Sequence, residues 1–301
     1  MSTLALTGGT GFVGGALIDR AIAAGHDVRA LTRRPQPERE GVVWIDGALD
    51  SPDSLDRLVA GADAVIHVAG VVNAPDRAGF VAGNVEGTRA IVVAAERVGV
   101  RRFIHVSSLA AREPALSAYG WSKAEAEKVV EASALDWVMV RPPAIYGPGD
   151  MEMRDLFRLA RWGIALLPPP GKLSVIEVSD LARLLLALVD ARSNRRVLEA
   201  DDGKPGGWTH DEFARAIGHA VGQRVMPMAL PQPLLRLAAR GDRLVRGARA
   251  KLTPDRVAYF CHPDWRIDAE KRPDPAFWRP EVPTLEGLAA TARWYRAHSL
   301  L

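Results

Sequence analysis

Residues 3–14 read Thr3-Leu4-Ala5-Leu6-Thr7-Gly8-Gly9-Thr10-Gly11-Phe12-Val13-Gly14. A short apolar run ends at Thr7, glycines recur at Gly8, Gly11 and Gly14, and a helical pattern opens at residue 12. Each of the three glycines has its own physical task. Gly8 permits a tight turn out of a strand. Gly11 lets the backbone approach a pyrophosphate with no Cβ in the way, and Gly14 lets the helix pack closely on the sheet. N–H groups at the start of that helix then face the phosphates, where the helix dipole favours negative charge. The pattern assigns dinucleotide binding to Gly8, Thr10, Gly11, Phe12 and Val13.

Outward from this loop, β-rich runs alternate with helical patterns. Strands are expected at 3–7, 28–32, 42–45, 64–68, 103–107 and 137–140, and helices at about 12–24, 52–60, 84–98 and 118–132. Several strand runs are apolar almost throughout, as when helices cover both faces of a sheet. The expected class is therefore α/β, a Rossmann-type doubly wound parallel sheet with ligands at the strand carboxyl ends. The pattern changes after Pro142-Pro143, and Pro168-Pro169-Pro170-Gly171 can be neither helix nor central strand. Later helices are expected near 151–162, 180–190, 209–221, 231–246 and 284–298. The expected division is 1–165 as the dinucleotide-binding domain, rejoined by segments near 173–200, and 166–301 as a smaller, mainly helical, interleaved substrate lobe.

The second strand sets the cofactor. An acid at its end would bond a ribose 2′-hydroxyl, but here Thr32 is followed by Arg33-Arg34. Two guanidiniums suit a 2′-phosphate, because each can grip it in forked geometry. NADP(H) is preferred and NAD(H) remains open.

Tyr119-Gly120-Trp121-Ser122-Lys123 is the second strong feature. Residues four apart share a helix face. A phenol with an ordinary pKa near ~10 is a poor base at neutral pH, and a nearby ammonium lowers that value. Tyr119 can then exchange a proton with a substrate oxygen while hydride moves at a nicotinamide. Ser107-Ser108 sits just past a strand. Ser108 is the choice for holding the substrate oxygen, with Ser107 the alternative.

The bulk numbers limit other classes. The chain has 301 residues, 48% hydrophobic and 25% charged, which fits a globular protein with a full core. With 39 basic against 36 acidic residues the charge is too balanced to point to nucleic acid. Cys261 is the single cysteine and reads as apolar filler. The seven histidines lack partners at ligand spacing, so no metal is expected. No signal peptide is read ahead of the strand at residue 3, and no apolar run approaches the ~20 residues of a membrane span. Cytoplasm is the expected compartment. The basic run Arg236, Arg240, Arg243, Arg246, Arg249 and Lys251 reads as a solvated helix face, with contact to a membrane surface or anionic ligand as the alternative.

Together these residues resemble the extended branch of the short-chain dehydrogenase/reductases over about residues 3–190. Thr7–Gly14, His67-Val68-Ala69-Gly70, Asn84–Thr88, Phe103–Ser108, Tyr119–Lys123 and Arg141–Asp150 carry the likeness, in the family's order. The resemblance implies a Ser–Tyr–Lys mechanism with Ser108, Tyr119 and Lys123. It implies that Val68, Ala69 and Gly70 run beside the cofactor, that Asn84 belongs to the same site, that Lys123 holds the nicotinamide ribose, and that Pro142, Pro143 and Ile145 line the nicotinamide. Homodimers through the helices at 84–98 and 118–132 are common in the family. Many members carry an acid after the third strand for the adenine; here Gly47-Ala48-Leu49 takes that place, so Ala48 and Leu49 are assigned to the cofactor, unless Asp46 serves. Sugar-nucleotide epimerases often have Asn where Ala144 stands. The stretch Arg141–Asp150 looks closer to hydroxysteroid-dehydrogenase-like and dihydroflavonol-reductase-like members, which act on bulky apolar alcohols and ketones.

The leading expectation is an NADP(H)-dependent carbonyl reductase or alcohol dehydrogenase for a small-molecule, apolar substrate. An NAD(P)-dependent sugar epimerase or dehydratase is the second, and a non-catalytic NADP(H)-binding protein the third. Met151, Met153, Leu156, Phe157, Trp162, Leu166, Leu167 and Trp208 read as lobe packing, with an apolar substrate pocket as the alternative.

Overall fold

Strand β1 (Thr3–Thr7) enters the Gly8 turn and helix α1 (Phe12–Ala23) leaves it. There follow β2 (Asp27–Thr32), β3 (Val42–Asp46), α2 (Pro52–Val59), β4 (Ala64–His67), α3 (Arg77–Phe80), a π turn at Val81–Glu86, α4 (Gly87–Val98), β5 (Arg102–Val106), a 3-10 turn at Leu109–Arg112, α5 (Ala118–Glu131) and β6 (Asp136–Val140). Next come β7 (Ala144–Tyr146), α6 (Arg154–Ala160), β8 (Ile164–Leu167), β9 (Lys172–Leu173), β10 (Val175–Glu177), α7 (Val178–Asp190) and β11 (Arg196–Leu198). The chain ends with β12 (Trp208–Thr209), α8 (His210–Val221), β13 (Met226–Ala229), α9 (Gln232–Arg246), α10 (Pro254–Phe260), β14 (Asp264–Trp265) and α11 (Thr284–Ala297). The computed structural model describes residues 1–191, 195–247 and 253–301. Arg249 and Lys251 of the basic run lie outside the described residues.

One unit comprises Met1–Arg141 with Leu181–Glu199, and the other Pro142–Asp180 with Ala200–Leu301. The boundary falls at residue 141 rather than near 165, because β7 pairs with β10 in a separate two-stranded sheet. The segment that rejoins the first unit carries β11, which pairs with β6.

The first unit is a seven-stranded parallel sheet in the order β11-β6-β5-β4-β1-β2-β3. Strands β1, β4, β5 and β6 are almost wholly buried, which accounts for their unbroken apolar character. One core is built from Leu55, Leu58 and Val59 of α2, Ile91 and Ala95 of α4, and Phe103 and Met139 of the sheet. Strand order reverses between β1 and β4. Their carboxyl ends therefore open a crevice, where doubly wound sheets bind ligands. The helix expected at 84–98 is regular only from Gly87; the preceding turn is π. Such wide turns recur at functional sites.

The second unit packs α6, α8 and α11 around Phe157, Phe213, Leu288 and Tyr295. Of the apolar residues expected to pack this lobe, Phe157 and Leu167 are buried, whereas Met151, Leu156, Trp162 and Leu166 are exposed.

Candidate active site

The Gly8 turn is set by sterics. Gly8 has φ +77°, and a Cβ there would lie 2.7 Å from the Ala69 nitrogen, so β1 and the segment after β4 touch backbone to backbone. Gly11 caps α1 with extended backbone, and its N–H donates to the Gly8 carbonyl at 3.0 Å. No side chain caps α1 and no acid stands in its first turn. Its terminal N–H groups and positive dipole end are thus left for an anion. This donor set, beside an exposed Thr10 and Gly11, fits a dinucleotide pyrophosphate.

A buried hydrogen-bond chain ties the turn to the next two elements. The Ala69 N–H donates to Thr7 Oγ1 at 3.2 Å, Thr7 Oγ1 lies 2.6 Å from His67 Nδ1, and His67 Nε2 lies 3.0 Å from Thr88 Oγ1. Thr88 donates its single hydroxyl proton to the Asn84 carbonyl. It must therefore accept from Nε2–H, so Nδ1 accepts from Thr7 and the tautomer follows. Burial pushes His67 down to about 3, with the Lys123 ammonium acting in the same direction. His105 stacks on it at 5.3 Å and is likewise pushed well down by burial. Both rings are neutral. Neither Thr7 nor Thr88 was assigned a role from sequence; a polar residue ending an apolar strand was the only signal for Thr7.

Asn84 sits in the π turn. Its Oδ1 accepts from Val71 N–H at 2.6 Å, and its Nδ2 donates to the Val71 carbonyl and to Ser122 Oγ. It holds the loop after β4 against α5, next to Gly70, where a Cβ would stand 3.2 Å from Asn84 Oδ1 and 3.7 Å from Lys123 Nζ.

Helix α5 starts at Ser117, which accepts from the Gly120 N–H. A Cβ on Gly120 would lie 2.6 Å from the Ala110 carbonyl, so glycine lets the helix bearing Tyr119 press on the turn that follows Ser108. Tyr119 is part-exposed and its ring faces Phe80 at 6.3 Å. Lys123, one turn on, is buried and donates to the Val106 carbonyl at 2.9 Å.

Glu127 separates the two serines. Ser107 Oγ donates to Glu127 Oε1 at 2.5 Å, and Arg141 grips the same carboxylate with two hydrogen bonds of 2.8 and 2.6 Å. Arg141 and Arg112 both reach the fully buried Glu199. Ser107 is thereby committed to a buried ionic network. Ser108 Oγ accepts from Ala110 N–H, an arrangement that leaves its proton to donate outward.

At the β2 end, Thr32 Oγ1 donates to the Arg34 carbonyl and accepts from the Arg34 N–H, which folds the chain and leaves Arg33 and Arg34 exposed. After β3, Ser54 donates to the Ala48 carbonyl, and Leu49 packs where a Cβ on Gly87 would come within 2.7 Å. Asp46 is exposed, with its carbonyl accepting from Arg57. Pro142, Pro143 and Ile145 belong to the second unit, where Ile145 pairs with Ile176.

Comparison with known proteins bears on the family and the fold. A family model described as NAD(P)H-binding matches residues 8–191. The chain belongs to the extended short-chain dehydrogenase/reductase family. It is an NAD(P)-dependent enzyme of the oxidoreductase and epimerase group. It is 36% identical to the ceramide reductase of Caulobacter vibrioides, covering 98% of this chain and 94% of that protein. It is 28% identical to a 3 beta-hydroxysteroid dehydrogenase/Delta 5-->4-isomerase of Mycobacterium tuberculosis, over 78% of this chain and 74% of that one. Among solved structures, the Bordetella bronchiseptica enzyme WbmG in complex with NAD and UDP superposes with a TM-score of 0.76 at 18% identity, covering 100% of this chain and 96% of that one, which speaks to the fold.

Burial pushes Lys123 down to about 8, against the attraction of Glu127, which raises it. Below pH 8 the folded chain carries a buried ammonium at a penalty of about 3 kcal/mol. Between about 8 and the ordinary 10.5, the unfolded chain holds a proton that the folded chain has lost, so this group's contribution turns toward folding as pH rises. Lys123→Met removes that penalty but loses the hydrogen bond to Val106, worth about 1 kcal/mol. The variant is therefore expected to be more stable at pH 7 by about 2 kcal/mol and catalytically dead, with the gain disappearing near pH 10. Urea unfolding across this pH range checks it; a variant less stable than wild type at pH 7 would refute the assignment.

Proposed function

We propose that the protein is an NADP(H)-dependent carbonyl reductase acting on a long-chain lipid ketone, or on the matching alcohol in reverse. The observation that carries this reading is 36% identity to a ceramide reductase along 98% of the chain. The Ser108, Tyr119 and Lys123 set supports it.

When bound, the nicotinamide supplies or accepts hydride. The chain's own residues handle the oxygen. Ser108 donates a hydrogen bond to the substrate carbonyl and fixes its direction. Tyr119 passes its proton to that oxygen as negative charge develops there. The Lys123 ammonium favours the resulting phenolate and stays in place through the Val106 carbonyl. Asn84 keeps the loop at Gly70 and Val71 in register with α5.

The NADP(H) preference rests on Arg33 and Arg34, exposed at the turn that Thr32 folds. Titration of tryptophan fluorescence is expected to show NADPH binding at least about tenfold tighter than NADH, ~1.4 kcal/mol. Arg33→Ala with Arg34→Ala should erase the difference and leave NADH affinity unchanged. Equal affinities in the wild type would sink the 2′-phosphate assignment. For the substrate, NADPH consumption is measured with a long-chain keto-lipid in micelles, a small water-soluble ketone and a UDP-sugar. Turnover of the keto-lipid is expected; conversion of the UDP-sugar without net NADPH loss would replace this reading with epimerisation.

A further inference from the structure

Two neighbouring elements of the second unit turn apolar side chains outward. Strands β8 and β13 pair in parallel, with Met226 beside Ile164 and Met228 beside Leu166. All four of these side chains are exposed, while the alternate residues Ala165 and Leu167 are buried. Alternation along a strand puts one set on each face, so the outer face of this small sheet is wholly apolar. Trp162, two residues before Ile164, is 80% exposed.

Helix α9 begins three residues after β13 ends, at most ~11 Å of chain away. Leu234, Leu237 and Leu244 are exposed, whereas Ala239 is fully buried. At ~100° per residue the three leucines fall within an arc of about 80°, on the side away from Ala239. This reverses the ordinary arrangement, in which a helix buries its leucines against the core. Arg236 and Arg240, also exposed, lie on one side of the leucine arc, about 80° and 40° beyond Leu244, and Arg161 and Arg224 are exposed one residue before Trp162 and two before Met226. From Arg224 to Arg246 the sequence has five arginines and one acid, Asp242.

We infer that these two apolar surfaces, the outer side of β8 and β13 and the leucine arc of α9, dock the enzyme on an anionic lipid bilayer. The charge pattern selects that occupant. Leucine, methionine and tryptophan side chains enter the boundary between headgroups and acyl chains, and guanidiniums at their rim pair with lipid phosphates. A second copy of the chain on a two-fold axis would set arginine-rich patch against arginine-rich patch, which opposes association. Among the described residues no helix is long and apolar enough to cross a membrane, so the contact is with one leaflet. The inference stands apart from the substrate proposed above, since none of these residues belongs to the Ser–Tyr–Lys site.

Flotation of the full chain with vesicles tests it. Wild type is expected to float with vesicles of phosphatidylcholine and phosphatidylglycerol, to stay behind with phosphatidylcholine alone, and to be released by high salt. Leu237→Ser with Leu244→Ser should weaken flotation about tenfold or more, and Arg236→Gln with Arg240→Gln should remove the lipid-charge dependence. Both variants should keep NADPH binding by tryptophan fluorescence, which reports that they fold. Absent or charge-independent flotation of the wild type overturns the inference without any variant. So does flotation unchanged in both variants, or light scattering that shows a wild-type dimer becoming monomeric in the leucine variant with no vesicle binding by either.

Discussion

Tyr119→Phe is expected to lower kcat/KM for carbonyl reduction by about a thousandfold, the middle of the range for a positioned general acid, and to leave NADPH affinity within a factor of about two. One oxygen is removed. The ring still faces Phe80, Ser117 still caps α5, and Lys123 still reaches the Val106 carbonyl. On the proposed mechanism, what disappears is the proton delivered to the substrate oxygen, an interaction that matters most as charge develops. The loss should therefore fall on kcat and on kcat/KM alike, not on KM alone. Steady-state kinetics with the best ketone, beside NADPH titration of both proteins, checks it. A variant that keeps a tenth or more of the wild-type rate would show that another group supplies the proton.

The second large effect is steric and sits at the other end of the site. Gly14→Ala is expected to destabilise the protein by about 3 kcal/mol and to abolish measurable NADPH binding. The added Cβ would lie 2.1 Å from the Gly8 carbonyl oxygen, 2.7 Å from the Gly8 carbonyl carbon and 2.8 Å from the Gly9 Cα. All three are backbone atoms of the turn, so no rotamer relieves the overlap. Helix α1 would have to move off the loop, carrying with it the N–H groups proposed to face the pyrophosphate. The adjacent Gly15→Ala is the control. A Cβ there meets nothing within 4 Å, and alanine in a helix interior should gain up to ~1 kcal/mol. Thermal unfolding and NADPH titration of both variants decide the matter. If the two alanine variants behaved alike, close packing of α1 on the Gly8 turn would not be what Gly14 is for.

The sequence by itself determined the class of fold and marked the candidate residues at the two ends of the site, because both are local patterns. Glycine at 8, 11 and 14 follows from backbone sterics inside one turn. A strand–helix alternation is visible as a change of period, and Tyr119 and Lys123 share a helix face through spacing alone. What only the tertiary structure decided depends on groups far apart in the chain. Ser107 and Ser108 are equivalent as neighbours; the hydrogen bond from Ser107 to Glu127, itself held by Arg141, separates them. The role of His67 emerges only once Thr7 and Thr88 bracket its two nitrogens, since neither residue is near it in sequence. The boundary at residue 141 follows from β7 pairing with β10 instead of the large sheet. The leucines of α9 show a helical period either way, and periodicity cannot say which face of a helix is turned toward the core; the burial of Ala239 and the exposure of Leu237 and Leu244 settle that.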